Sequence, residues 1–240
     1  MRLISPIHPR YYANGYVCGL TQLFGENKNR LFYGPKGHRG LDFQTRGVWW
    51  YSKLFYSTKT LKGYRKTRRD GYQEDGRIHL VAAHDGRVTT VLKDNKQRDG
   101  WGIFITKKPE MEVGQMVQYR TLYWHIETPW KSTAWYNGKI RRLQKLKEIF
   151  WGRKVKAGAV VAIAGDNGKS TGPHLHFSLD KRVLYGAEWQ QWERIDPMPY
   201  LKGDDTAYRY HYNYSKPARW FHKGKEITKK QANSFNKPII

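Results

Sequence analysis

The chain of 240 residues is 39% hydrophobic, enough for one substantial domain with insertions or a short appendage. Its 44 Lys and Arg against 20 Asp and Glu give a formal charge of +24, which biases it toward polyanions such as nucleic acid, anionic membrane or an anionic bacterial wall and says nothing about fold. The single cysteine, Cys18, excludes an internal disulfide and a thiolate metal cluster and reads as a small buried hydrophobe, and no apolar run approaches the roughly 20 residues of a membrane-spanning helix.

Residues 1–10 lack the apolar stretch of a secretory signal, so a substrate outside the cytoplasm implies another delivery route. From there on the pattern is short alternating or apolar runs punctuated by glycine, as expected of a mostly β domain. His38-Arg39-Gly40-Leu41-Asp42 follows glycines at 34 and 37, which disfavour a helix and place the segment on a loop entering a strand. The segment 51–77 is basic and polar and reads as a long loop. Runs at 78–83 and 87–92 flank an Asp85-Gly86 turn; 101–106 is another strand, and 117–126 alternates cleanly. Within 131–154, Ile140, Leu143, Leu146, Ile149 and Phe150 recur at helical spacing with Lys and Arg between them, predicting one amphipathic helix. Strands are expected again at 155–164 and 174–179. After Asp196-Pro197-Met198-Pro199 the composition shifts to alternating aromatic and polar residues at 208–214 and a lysine-rich tail, so 202–240 reads as a basic, aromatic extension of a main domain at 1–201. That extension is expected either to add a strand to the main sheet or to serve as a binding appendage.

Chemistry concentrates on histidines. In a strand, residues two apart share a face, so His174 and His176 point one way while Leu175, Phe177 and Leu179 point to the core. By the same alternation His125 lies on the side of Thr121 and Tyr123, away from Leu122, Trp124 and Ile126. Two imidazoles on one face are costly to bury without a partner, and a metal is a common one. Zinc takes nitrogen and carboxylate ligands in a tetrahedron and, in catalytic sites, leaves one position for water. His38, Asp42 and one of the paired histidines would make such a site. No H-E-x-x-H helix exists in the chain, so any general base is another group, and the remaining histidines are the natural candidates.

In their order along the chain these segments resemble the lysostaphin/LytM-type metallopeptidases. The family's hallmarks are an H-x-x-x-D motif, a later Y-x-H-like strand and an S-T-G-P-H-L-H-F segment; here they are His38 to Asp42, Tyr123 to His125, and Ser170 to Phe177. The hairpin Ala82-Ala83-His84-Asp85-Gly86-Arg87-Val88, the turn Val155-Lys156-Ala157-Gly158 and the closing Asp196-Pro197-Met198-Pro199-Tyr200 resemble further family segments. The resemblance runs from about residue 18 to 201. It implies a mainly β fold, a compact antiparallel, sandwich-like metallopeptidase domain (duplicated hybrid motif), here with one inserted helix and a short C-terminal extension. It implies one zinc ion bound by His38, Asp42 and His176, with His125 and His174 as the catalytic histidines. Tyr123, Thr171 and His84 are candidate substrate contacts. The implied activity is zinc-dependent endopeptidase cleavage of cross-bridges or stem peptides in bacterial peptidoglycan, with action at the cell wall, whether extracellular, periplasmic or virion-associated, as in a phage lysin. Anionic wall polymers and other virion proteins are the further partners this reading admits.

The chain departs from the family pattern at His84, where a small residue is usual, and at 51–77 and 131–154, which are longer than the usual connections. His8, His79, His211 and His222 have no motif support. The alternative from another class is a structural or polyanion-binding module that retains the fold without turnover. Nucleic acid is the weaker partner, because no zinc-finger or RNP sequence is present.

Overall fold

The computed structural model describes residues 1–7, 17–30, 33–44, 79–92, 101–126, 152, 154–165, 174–210 and 217–234. The loop at 51–77, nearly all of the predicted helix at 131–154, and Thr171, His8 and His211 lie outside the described residues, as does the side chain of Cys18.

The strands in chain order are β1 (Val17–Gln22), β2 (Leu41–Gln44), β3 (His79–Val81), β4 (Gly86–Leu92), β5 (Trp101–Thr106), β6 (Glu110–Glu112), β7 (Gln115–Ile126), β8 (Lys154–Val155), β9 (Val160–Ile163), β10 (His174–Tyr185), β11 (Glu188–Trp189), β12 (Glu193–Ile195), β13 (Ala207–Tyr210), β14 (Arg219–His222) and β15 (Lys225–Ile227). The short helix α1 (Lys229–Asn233) follows, started by Thr228, whose hydroxyl accepts from the Gln231 amide while the Gln231 side chain accepts from the Thr228 amide. One 13-stranded sheet runs β15-β14-β13-β1-β2-β10-β7-β5-β4-β8, with β6, β11 and β12 alongside, and β3 pairs with β9 in a second, two-stranded sheet. The fold is thus mainly β, as the alternating runs require. The run predicted at 155–164 is split in two by a turn at Gly158, whose φ is +83°.

All pairs are antiparallel except β1 with β13, which run parallel, Val17 opposite Ala207 and Leu20 opposite Tyr210. The hairpins β13-β14 and β14-β15 then carry the sheet outward, so the described part of 202–240 extends the sheet.

Period-2 alternation gives the long central strands one apolar face. Leu175, Phe177 and Leu179 of β10, Tyr119 and Tyr123 of β7, Ile103 and Ile105 of β5, and Leu41 and Phe43 of β2 form one buried cluster. Leu80 and Val161 of the small sheet join it, with Leu3 and Ile7 of the N-terminal segment and Leu201. Phe177 is central: its ring meets Phe43 and Tyr123 edge-on at 6.0 and 5.2 Å. The opposite face of β2, β10 and β7 is polar, and it carries the histidines.

Candidate metal centre

β10 lies between β2 and β7, with His176 opposite Asp42 on one side and opposite Trp124 on the other. Cross-strand partners share a face, so the register alone brings the second histidine of the H-x-H pair against the aspartate of H-x-x-x-D. His38 arrives from the loop before β2. Its backbone is fixed at both ends of the peptide, the Gly25 amide donating to His38 O at 2.7 Å and the His38 amide donating to Glu26 O at 2.7 Å. Gly37 permits this approach, since a Cβ there would stand 2.5 Å from Gly25 O at a φ of +70°.

Three donor atoms converge as a result. His38 Nε2 lies 2.9 Å from His176 Nδ1 and 3.1 Å from Asp42 Oδ1, and His176 Nδ1 lies 3.0 Å from Asp42 Oδ1. The outer hydrogen bonds decide where the imidazole protons sit. His38 Nδ1 faces Leu23 O at 3.1 Å, and a carbonyl only accepts, so the proton is on Nδ1 and the lone pair on Nε2. Ser178 Oγ gives its one proton to Arg39 O at 2.9 Å, so it accepts from His176 Nε2 at 2.9 Å, which leaves the His176 lone pair on Nδ1. Two lone pairs and a carboxylate oxygen therefore face one another with no proton between them. That arrangement is repulsive unless a cation sits among them. Ligands at about 2.0–2.1 Å in a tetrahedron stand about 3.3 Å apart, so this triangle needs to open by only about 0.3 Å to accept zinc. Among the described residues it is the one group of His, Cys, Asp or Glu with metal-ligand spacing.

The electrostatics agree with the donor set. Burial works against the Asp42 carboxylate, but in the metal-free site a proton entering this triangle is held on His176 or His38, which then donate to the carboxylate and hold its carboxyl far below the usual carboxylate range. Burial pushes the His176 imidazole down to about 4, against the opposing pull of Asp42, so it is neutral at pH 7 and free to ligate. Gly40 is tied to this shell. A Cβ there would lie 2.6 Å from Phe177 O and 2.8 Å from both His176 Nε2 and Ser178 Oγ.

His125 and His174 stand beside the triad. Their rings are 4.6 Å apart, the His125 ring is 6.3 Å from that of His176, and His174 Nε2 is 3.9 Å from Asp42 Oδ1. His125 does not reach this face by simple alternation, which would place it with Tyr123. Tyr123 faces the core, and the strand carries a β-bulge: Trp101 pairs with Ile126 and Gly102 with Trp124, leaving His125 as the extra residue at φ +59°. The bulge turns His125 to the polar face and returns Ile126 to the core. Gly165 clasps the result, its amide donating to His125 O at 2.9 Å and its carbonyl accepting from the His174 amide at 3.2 Å.

Two expected substrate contacts are corrected. Tyr123 is fully buried, its hydroxyl accepting from the Ala83 amide at 2.8 Å and donating to Val81 O at 3.0 Å, so it staples β7 to the segment before the Asp85 turn. His84 is 3% exposed, its Nδ1 donating to Asp85 O at 2.8 Å and its Nε2 accepting from Thr121 Oγ1 at 3.1 Å; burial pushes its pKa down. Both hold the framework. Sequence reading missed Ser178, although its position two residues after His176 on the same strand face was signal enough.

No family model and no curated protein matches the chain. Among solved structures the chain is similar to the catalytic domain of the antimicrobial peptidase lysostaphin from Staphylococcus simulans, with 22% identity over 82% of this chain and 99% of that one, at a TM-score of 0.41. It is similar to a zinc-containing peptidase from Vibrio cholerae, at 18% identity over 85% of this chain but only 40% of the other, with a TM-score of 0.44. A variant catalytic domain of the prophage-encoded protein EnpA from Enterococcus faecalis aligns at 19% identity over 75% of this chain and 88% of that one, with a TM-score of 0.38.

Proposed function

We propose that this chain is a zinc-dependent endopeptidase of the lysostaphin/LytM type that hydrolyses peptide bonds in bacterial peptidoglycan. The observation that carries the proposal is the convergence of His38 Nε2, Asp42 Oδ1 and His176 Nδ1 within 2.9–3.1 Å, with both imidazole protons committed elsewhere. The motif order that predicted these residues from sequence supports the same reading.

On this proposal His38, Asp42 and His176 hold the ion, and the Leu23 carbonyl and Ser178 hydroxyl fix the two imidazoles so that their lone pairs stay aimed. Zinc, when bound, supplies a Lewis acid that polarises the scissile carbonyl and lowers the pKa of water toward roughly 7. His125 and His174 hold and move the protons. One imidazole accepts the proton of the attacking water and returns it to the departing amine, and the other donates a hydrogen bond to the negative charge developing on the carbonyl oxygen. The bulge matters here, because it sets the two rings 4.6 Å apart on the polar face.

The test is the release of new amino groups from purified peptidoglycan by the native protein, after chelation, and after zinc is restored, with His176→Ala as the control. Release that is lost on chelation, returns with zinc and is absent in the variant is the expected result. No release from several peptidoglycan types by zinc-loaded protein overturns the proposal in favour of a non-hydrolytic module.

A further inference from the structure

The polar face of β10 continues past the metal centre. Same-face residues run His174, His176, Ser178, Asp180, Arg182, with successive members about 6.8 Å apart, so Asp180 and Arg182 lie about 14 and 20 Å from His176. Asp180 is 2% exposed and lies in register between Arg120 of β7 and Arg194 of β12. Each arginine gives its Nε proton to a different carboxylate oxygen, at 2.9 and 2.7 Å. The Arg120 guanidinium is sandwiched between the rings of Phe104 at 4.2 Å and Trp192 at 4.3 Å. Arg182 covers Trp192 at 4.3 Å and Trp189 at 4.6 Å, and its fork closes on Gln118 Oε1 at 2.9 and 2.5 Å. The result is an aromatic-guanidinium stack in which Phe104, Arg120, Trp192, Arg182 and Trp189 alternate.

The stack carries surplus charge. Two guanidinium groups share one carboxylate and a third, that of Arg182, is held only by a neutral amide, with the side chains of Arg120 and Arg194 only 23% and 18% exposed. Burial and the neighbouring Arg120 both work against the positive charge of Arg182. Stacking and packing would be served as well by a neutral arrangement, whereas the surplus charge costs stability unless an anion relieves it. Among the described residues no acceptor takes the terminal amino groups of Arg120, so a planar, pre-aligned fork remains for a tetrahedral or planar anion.

We propose that this stack is a docking surface for an anionic bacterial-wall polymer, a linear chain with phosphate groups along its backbone. A chain charge of +24 suits an extended polyanion better than a lone small anion. Trp192 already carries two guanidinium groups, each 4.3 Å from its ring, which crowds it against a stacking base and disfavours single-stranded nucleic acid. The surface shares a sheet face with the candidate metal centre, so a docked polymer would hold the surrounding wall beside it. That last link and the bacterial-wall source of the polymer rest on the peptidase proposal; the binding of a phosphate polymer does not.

Binding of linear inorganic polyphosphate and of poly(glycerol phosphate) to the chelated, full-length protein separates the two. Arg182→Gln is expected to weaken binding of both about fivefold or more and to reduce the salt dependence by about one counterion, while Lys225→Gln, an exposed charge on the distant hairpin, leaves affinity within about twofold. Equal losses in both variants overturn the proposal, because the effect is then one of bulk charge. On the unmutated protein, polyphosphate is expected to protect Arg120 and Arg182, but not Arg219, from an arginine-selective dicarbonyl reagent, as read by mass spectrometry. Absence of that protection overturns the proposal even if Arg182→Gln fails to fold. A single-stranded oligonucleotide of equal charge that displaces poly(glycerol phosphate) and binds more tightly, with the same dependence on Arg182, reassigns the surface to nucleic acid. Loss of the docking surface on these tests leaves the metal-dependent cleavage assay unaffected, and failure of that assay leaves polyanion binding standing.

Discussion

At the residue scale, the two groups that aim the imidazoles are as consequential as the ligands themselves. Ser178→Ala removes the acceptor for His176 Nε2–H and is expected to lower zinc affinity about 10- to 100-fold with little change in fold, measured by competition with a chromophoric chelator. Gly40→Ala drives a Cβ into Phe177 O, His176 Nε2 and Ser178 Oγ together, so it should lower both zinc retention and melting temperature, while alanine at the exposed Gly186, with nothing within 4 Å, should lower neither zinc retention nor activity. The metal-free protein should be acid-sensitive above the usual carboxylate range. His176 binds its proton at about 4 when folded against 6.5 ordinarily, and His84 is also pushed below 6.5 by burial. The unfolded chain therefore takes up protons that the folded one refuses, and the stability present above pH 6.5 is lost as pH falls toward 4, by a few kcal/mol. Calorimetry of the chelated protein at constant ionic strength checks this, and an unchanged melting temperature across that window would show that the imidazole is not buried and neutral. The convergence of His38, Asp42 and His176 was legible because a loop motif and a period-2 strand motif each mark their own residues. Their outer partners were less so: the Leu23 carbonyl has no side-chain signature, and Ser178 is an ordinary strand residue until His176 is read as a candidate ligand.

At the element scale, β10 and β7 teach opposite lessons. Strict alternation in β10 puts His174 and His176 together and sends Leu175 and Phe177 inward, as read from sequence. In β7 the same reasoning fails at the last step, because one inserted residue reverses the faces and nothing local in Tyr123-Trp124-His125-Ile126 announces a left-handed residue. His125→Asn should fold normally, since Asn tolerates that conformation well, yet lose about 10²- to 10⁴-fold in turnover. Tyr123→Phe is expected to do the reverse. It strips the Ala83 amide of its acceptor and should cost about 1–3 kcal/mol of stability, read from denaturant unfolding, with zinc affinity and KM unchanged.

At the scale of the whole molecule, the sheet is closed by strands distant in sequence. The join of β13 to β1 was beyond sequence reasoning, because a parallel pairing between residues 17–20 and 207–210 leaves no turn or hairpin signal between the partners. Tyr208 of β13 is fully buried against Phe43 of β2, at 6.0 Å between ring centroids. Deleting 205–240 should therefore strip the outer edge of β1, uncover Phe43 and produce a protein of lower melting temperature that scatters light on heating.

The same pairing has a consequence in time. β1 leaves the ribosome long before β13, the neighbour that completes its outer edge. On its other edge β1 supports β2, the strand that presents Asp42. During synthesis the aspartate's strand therefore waits, half-supported, until residues 207–210 have emerged. A nascent chain stalled before β13 should hold zinc weakly or not at all, so that the metal centre would come into force only once β13 has joined β1.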